Sequence, residues 1–302
     1  MKLLIISDSH FMYDTPIGRK DNILEAGMSK LKFVLDYARK NKCRILQAGD
    51  LFDIPRSWRL LSTVQKIFSE KNIDIYSVYG QHDTYMYSEN SKPSTILGVL
   101  ASAGYIHILC NEVVRIEGVN IYGCSYGGEV PKPSTKGINI LVIHAPILEK
   151  KLWYGQTNFI SAKQFLADNE EYDLIVCGDI HRKFQIKNGD RQIVNTGCIL
   201  RIEADEYNLT YEPSFAVFDT DDLSIKWIVI PHRDAEEVIS RKHILMKKQH
   251  EDMLDEFVNS IQSNAIQGTS FEDNLSQYLQ VNEISKDVRN IISNVMEGKD
   301  GR

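Results

Sequence analysis

Five short apolar runs in this chain each stop at a loop carrying carboxylate, imidazole or amide side chains, and no other feature constrains the fold as strongly. Residues 2–7, 44–48, 74–79, 138–143 and 173–177 read as β-strands. After the first come Asp8 and His10; after the second, Gly49-Asp50-Leu51-Phe52-Asp53; after the third, Gly80-Gln81-His82-Asp83. The last two are followed by His144-Ala145-Pro146 and Gly178-Asp179-Ile180-His181. An Asp-x-His pair or a Gly-Asp turn is ordinary when it stands alone. Five such groups in order, each at the carboxyl end of a strand, match where open α/β sheets gather their ligands. Gly49 and Gly178 fit tight strand-to-loop turns. The donor set suits Mn, Fe or Zn better than Ca.

Between the first strands lie two segments of helical period. Residues 23–41 put Leu24, Met28, Leu31, Val34, Leu35 and Ala38 on one stripe, and residues 57–72 do the same with Leu60, Leu61, Val64, Ile67 and Phe68. A further strand is expected at 119–123. From residue 191 to 230 the pattern turns strand-rich, at 192–196, 215–219 and 225–230, which would finish a second sheet layer. Pro231-His232-Arg233-Asp234 marks a change of character. Helices are expected beyond it at 235–263, with Met253, Leu254, Phe257, Val258 and Ile261 on one face, and at 271–279 and 285–296. The expected division is 1–232 for the main domain and 233–302 for a helical region.

With 302 residues, 43% hydrophobic and 25% charged, the chain can bury a sizeable core, which excludes disorder as its main state. No run approaches the roughly 20 apolar residues of a membrane span. The first strand leads straight into Ser7-Asp8-Ser9-His10 without a signal-like stretch, so a cytoplasmic location is expected. Cys43, Cys110, Cys124, Cys177 and Cys198 are scattered and odd in number, arguing against a disulfide framework and against a thiolate zinc site. The net charge of -6 speaks against nucleic acid as a ligand, but the acidic excess lies after residue 233 and the preceding chain is near neutral.

Taken in order, the five motifs resemble those of the calcineurin-like metallophosphoesterases: Asp-x-His, Gly-Asp-x-x-Asp, Gly-Asn-His-Asp/Glu, an isolated His and Gly-His-x-His. The resemblance covers residues 1–232. Asp8-Ser9-His10 near the start, Pro55 and Arg56 after the second motif, and Asn195-Thr196-Gly197-Cys198 followed by Arg201 are similar to the SbcD-type nucleases of double-strand-break repair and their phage counterparts. The resemblance implies a four-layer α/β/β/α sandwich with a small helical C-terminal appendage. It implies a two-metal DNA nuclease, the hydrolase subunit of an SbcC/SbcD-like recombination and repair complex, acting as exonuclease and endonuclease. Asp8, His10 and His181 would hold one metal, Asp50 would bridge, and Gln81, His144 and Asp179 would complete the second. His82 matches the histidine that protonates the leaving group. Asp53 and Asp83 could orient metal-bound imidazoles. Two divalent ions are implied, Mn2+ first and Mg2+ as the alternative.

Two positions depart from the family, and both fall on the second metal. Gln81 stands where the family has Asn, and Asp179 where it has His. The extra carboxylate favours Mn or Mg over Zn. Substrate contacts are expected from Arg19, Arg56, Arg59 and Tyr85, with Trp58 between the latter two arginines, because cations beside aromatics suit a phosphate backbone and unpaired bases. Trp153-Tyr154-Gly155 could line the same cleft or cover the sheet. DNA and an SbcC-like coiled-coil ATPase are the expected partners, a homodimer is a further arrangement, and no membrane is involved. Two other functions stay open: a stand-alone phosphatase or cyclic-nucleotide phosphodiesterase, and a binding subunit weakened through Gln81 and Asp179.

Overall fold

Strand β1 (Lys2–Ile6) shows how the layers arise. Its side chains alternate, so Leu3 and Ile5 enter one apolar cluster while Leu4 and Ile6 enter another. The second of these clusters is completed by helices α1 (Ile23–Asn41), α2 (Trp58–Lys71) and α3 (Ile96–Ser102). Asn22 and Ser57 start α1 and α2 by accepting a backbone N–H in the first turn, and Lys42 and Asn72 end them in left-handed conformation. The chain is described by a computed structural model covering residues 1–110, 112–133, 136–263, 275–276, 279, 284 and 286–296.

Two six-stranded sheets stack face to face. The first runs β14 (Ser224–Val229), β13 (Ser214–Asp219), β1, β2 (Arg44–Gln47), β3 (Ile75–Ser77), β4 (His107–Ile108). The second runs β11 (Phe184–Asn188), β12 (Arg191–Asn195), β10 (Leu174–Gly178), β7 (Ile138–His144), β6 (Val119–Cys124), β5 (Val114–Ile116). Between them, Leu3, Ile5, Leu46 and Val78 meet Ile121, Ile140, Val142, Leu174 and Val176. Outside the second sheet, Leu141, Ile143, Ile175 and Ile193 pack with Ala162 and Leu166 of α4 (Ala162–Asp168). Three apolar layers between four structural layers make the expected α/β/β/α sandwich, to which the short parallel pair β8 (Ile147–Leu148) and β9 (Ile160–Ser161) and the helix α5 (Glu206–Thr210) are added.

The strands late in the chain differ from expectation. Of the three expected strands only β12 joins the second sheet, parallel to β10 and antiparallel to β11. Strands β13 and β14 return to the first, where β13 lies antiparallel to β1 with Leu3 opposite Phe218 and Ile5 opposite Ala216. Both faces of β13 are thereby covered, by Phe215 and Val217 toward the helices and Ala216 and Phe218 toward the sheet.

The first compact unit is Met1–Ser240 and the second Arg241–Arg302. The helix expected from residue 235 is broken: α6 (Ala235–Val238) is one turn, and Ile239 then bridges antiparallel to Arg19. Buried Val238 and Ile239, with Lys20 N donating to Val238 O and Ser240 N to Gly18 O, hold that segment as part of the first unit. In the second unit α7 (Lys242–Ser263) leaves Met253 and Leu254 exposed, and α8 (Lys286–Met296) follows. The side chains of Phe257, Val258 and Ile261, and most of the helix expected at 271–279, lie outside the described residues. No helix among those described is long and apolar enough to cross a membrane.

Candidate active site

The loops at the carboxyl ends of β1, β2, β3, β7 and β10 meet over the top edge of the two sheets. Three ligand-rich groups result among the described residues, Asp8 with His10 and His181, His10 with Asp50 and His82, and Asp8 with Asp50 and His144, each with candidate ligand atoms within 4.8 Å of one another. Asp8, His10, Asp50 and His144 are buried.

Backbone geometry aims these side chains. Asp8, His10 and Asp50 sit at φ 44°, 43° and 50°, and Asp179 at 95°, left-handed values that cost about 1–3 kcal/mol each in non-glycine residues. Each loop clamps the next. Asp179 N donates to Asp8 Oδ1 at 2.8 Å, and His82 N to Asp50 Oδ1 at 2.8 Å. One oxygen of each carboxylate is thus fixed by an amide from another motif. The other oxygens, Asp8 Oδ2 and Asp50 Oδ2, are buried with no hydrogen-bond partner among the described residues.

The imidazoles converge on those oxygens. His144 Nδ1 lies 2.7 Å from Ala48 O, which turns Nε2 to within 3.2 Å of Asp50 Oδ2. His10 Nε2 and His181 Nε2 face each other at 3.0 Å. Burial drags His181 down to about 3, and the nearby His10 charge adds to the fall, so its ring is neutral with a free lone pair. Burial also opposes charge on His144, but the Asp50 carboxylate 3.2 Å away carries it up to about 9. Burial pushes Asp8 up to about 6 against the pull of His144 and His10. Orphaned buried carboxylate oxygens facing paired imidazole nitrogens are the environment a divalent cation satisfies, and the donor set fits such an ion.

Gln81 meets both of its expected neighbours. Its Oε1 is 2.7 Å from His144 Nε2, and its Nε2 donates to Asp179 Oδ1 at 2.5 Å. The two residues that depart from the family therefore touch. Asp53 Oδ1 lies 3.3 Å from His10 Nδ1, where it raises His10 above its usual range despite burial. Asp53 also supplies a backbone carbonyl 2.9 Å from His82 Nδ1. Asp83 does something other than orient an imidazole: its carboxylate accepts N–H from Gly80, Leu51 and Phe52, tying the second and third loops together. Burial, with Asp50 nearby, pushes it up to about 7.

His82 is the half-exposed member of the group, its ring edge-on to His10 at 4.8 Å between centroids. On the rim, the Arg56 guanidinium stacks over Tyr85 at 5.1 Å and Arg59 over Tyr13 at 5.2 Å. Trp58, Tyr85 and Tyr87 are exposed, as are Trp153 and Tyr154, which do not cover the sheet. Arg19 is placed differently. Its side chain is 3% exposed, paired with both oxygens of Asp21 and donating to Arg201 O, so its charge is spent within the fold.

The tight strand-to-loop turn expected at Gly49 is present, and the His144 ring packs directly against it. At φ +83° a Cβ there would sit 2.3 Å from His144 Nδ1. Gly49→Ala is expected to cost at least about 2 kcal/mol, from left-handed strain plus the displaced ring, read as a lower midpoint in denaturant at unchanged slope.

Among solved structures, the chain is similar to the TT1561 protein of Thermus thermophilus, at 12% identity and TM-score 0.48, over 76% of this chain and 99% of that one. A novel archaeal phosphodiesterase is similar at 15% identity and TM-score 0.43, over 76% and 100%. Zinc-complexed Vps29 of Entamoeba histolytica gives 14% identity and TM-score 0.36, over 76% and 98%. No curated protein sequence matches the chain. The family model of the calcineurin-like phosphoesterase superfamily domain matches residues 1–223. With that match running from β1 through β13, over every motif of the site, the chain belongs to the calcineurin-like phosphoesterase superfamily.

Proposed function

We propose that this phosphoesterase is a metal-dependent DNA nuclease, the hydrolytic subunit of an SbcC/SbcD-like recombination and repair complex. The observation that carries the hydrolytic part is the pair of orphaned buried oxygens, Asp8 Oδ2 and Asp50 Oδ2, set among His10, His144 and His181. In this reading Asp8, His10 and His181 would hold one divalent ion, Asp50 would serve both, and Gln81, His144 and Asp179 would hold the second, with Mn2+ the preferred ion and Mg2+ the alternative. Ions so held supply Lewis-acid charge to a scissile phosphodiester. His82, at the solvent edge, gives a proton to the departing oxygen, its Nδ1 steadied by Asp53 O. Buried apolar layers under the site keep its carboxylates in a low dielectric, where their charge acts strongly.

The DNA assignment draws its support from the rim, where Arg56, Arg59, Tyr85 and Trp58 offer cations and aromatic faces. An SbcC-like ATPase is the proposed partner and supplies the DNA affinity that a chain of net charge -6 lacks. A homodimer is proposed as a further arrangement of the chain. The proposed compartment is the cytoplasm. With Mn2+, hydrolysis of duplex and single-stranded DNA in preference to a cyclic nucleotide or a phosphomonoester is the expected result. The reverse preference overturns the nuclease reading in favour of a stand-alone phosphatase or cyclic-nucleotide phosphodiesterase.

A second reading has its own observation. The Gln81 amide already joins His144 and Asp179, so the second ion competes with a hydrogen-bonded network. Gln81→Asn and Asp179→His should each weaken Mn2+ binding, and the double variant should recover much of it, since ligands in contact are non-additive. Titration calorimetry across the four proteins decides the matter. Strict additivity favours a single working site and activity that waits on a partner.

A further inference from the structure

A second polar cavity lies within the first unit, outside the metal centre. It holds about 290 Å³ and is lined by Arg19, Lys30, Arg201, His232 and Arg233, with Asp21 and Glu25 as its acids. That volume sits at the low end of small-ligand sites and is ample for a phosphate group. Lys30 is 8% exposed and Arg201 5%, and charges so deeply buried are ordinarily paired. Here Asp21 is taken up by Arg19 and Arg233. Arg201 gives Nε to Tyr211 O and Nη1 to Arg233 O, while Lys30 Nζ donates to Ile199 O at 2.6 Å. Among the described residues, Lys30 therefore has one acceptor for three protons and Arg201 Nη2 has none.

These are neutral carbonyl partners, and among the described residues no carboxylate pairs directly with either cation; Asp234 and Glu212 act on Arg201, and Asp21 on Lys30, only from further away. Glu25 is exposed and bonded to Asn22, so it does not fill that role. The positive end of the 19-residue α1 opens on the same cavity through Asn22 and Ala26. Burial and the facing Arg19 and Arg201 charges bring Lys30 down to about 7, the mark of a cation missing its anion.

We infer that this cavity is a binding site for a phosphate group, held by Lys30, Arg201 and Arg233 and separate from the metal centre. The segment that lines it also supports the active site from behind. Ser7, next to Asp8, hydrogen-bonds Asn195, Thr196 and Gly197, and four residues later Arg201 faces the cavity. Free phosphate and the 5′-phosphate of a mononucleotide offer the same chemistry, and the test separates them.

Inorganic phosphate and dAMP would be titrated calorimetrically into the full chain in chelator, which removes the metal centre as a competing phosphate site. Saturable binding of at least one is expected, tighter for whichever is the source. Lys30→Met should weaken it at least tenfold. Ser29→Glu, which puts a carboxylate at the exposed edge of the cavity without touching the core, should do the same. Asp50→Asn should leave it intact. Absence of binding to the parent chain overturns the inference, and so does binding that Ser29→Glu leaves unchanged or that Asp50→Asn removes.

Discussion

Asp50→Asn is expected to reduce phosphodiester hydrolysis by more than about 10³-fold and to strip the protein of its metal. Outer-shell partners of metal ligands alone cost roughly 10–100-fold when removed, and Asp50 stands at the meeting point of two of the three ligand groups. The amide can still accept the His82 N–H, so the loop should hold and the loss should be one of charge. Metal analysis after dialysis measures this directly. Retention of one ion at full affinity would remove Asp50 from its shared position. The metal-free protein offers a second reading of the same change. The folded-state pKa of His144 is raised to about 9 from 6.5, so its pairing with Asp50 stabilises the fold fully below about 6.5 and is lost as pH rises through about 9. In Asp50→Asn that decline across the alkaline window should shrink, as denaturation at pH 6 and pH 9.5 would show.

His82→Ala is expected to behave in the opposite way toward the metal. Its ring is half exposed, and its Nδ1 is occupied by Asp53 O, which leaves Nε2 toward solvent. A side chain whose task is to deliver a proton contributes about 10²–10⁴-fold, and the variant should lose at least 10²-fold in rate with metal content unchanged. A substrate with a good leaving group, such as a nitrophenyl phosphodiester, needs little protonation and should lose far less. Equal losses on both substrates, or loss of metal, would make His82 a structural or ligating residue.

How much of this was written in the chain follows from which interactions are local. The five motifs were legible because each is contiguous and ends a strand whose apolar alternation is itself contiguous. Helix α1 was legible to the residue because Asn22 caps it and its stripe is regular. Pairing was not legible in the same way. Strands β13 and β14 read equally well for either sheet, and only the long-range match of Phe218 to Leu3 decides between them. Likewise Asp83 looks like a ligand-orienting carboxylate in sequence, and its three backbone donors come from loops that fold beside it. Arg19 reads as a free cation until Asp21 and Arg201 enclose it. The break at Ile239 was hidden because a helical pattern says nothing of a distant backbone, here that of Gly18 and Arg19, offering hydrogen bonds instead.

Asp8, Asp50 and Gln81 follow strands of one sheet, and His144, Asp179 and His181 follow strands of the other. The centre is therefore a seam. One ligand group, His10 with Asp50 and His82, comes from the first sheet alone, while the other two, Asp8 with His10 and His181 and Asp8 with Asp50 and His144, need both sheets. An ion held across the seam would also be a rivet, adding to the apolar contacts and hydrogen bonds that join the two layers and relieving the repulsion among acids that those layers crowd against one another. Supply of the ion would thus govern how long the sandwich stays closed as well as how fast it works, and a cell short of metal would hold a looser protein, more open to proteolysis, before it held a merely idle one.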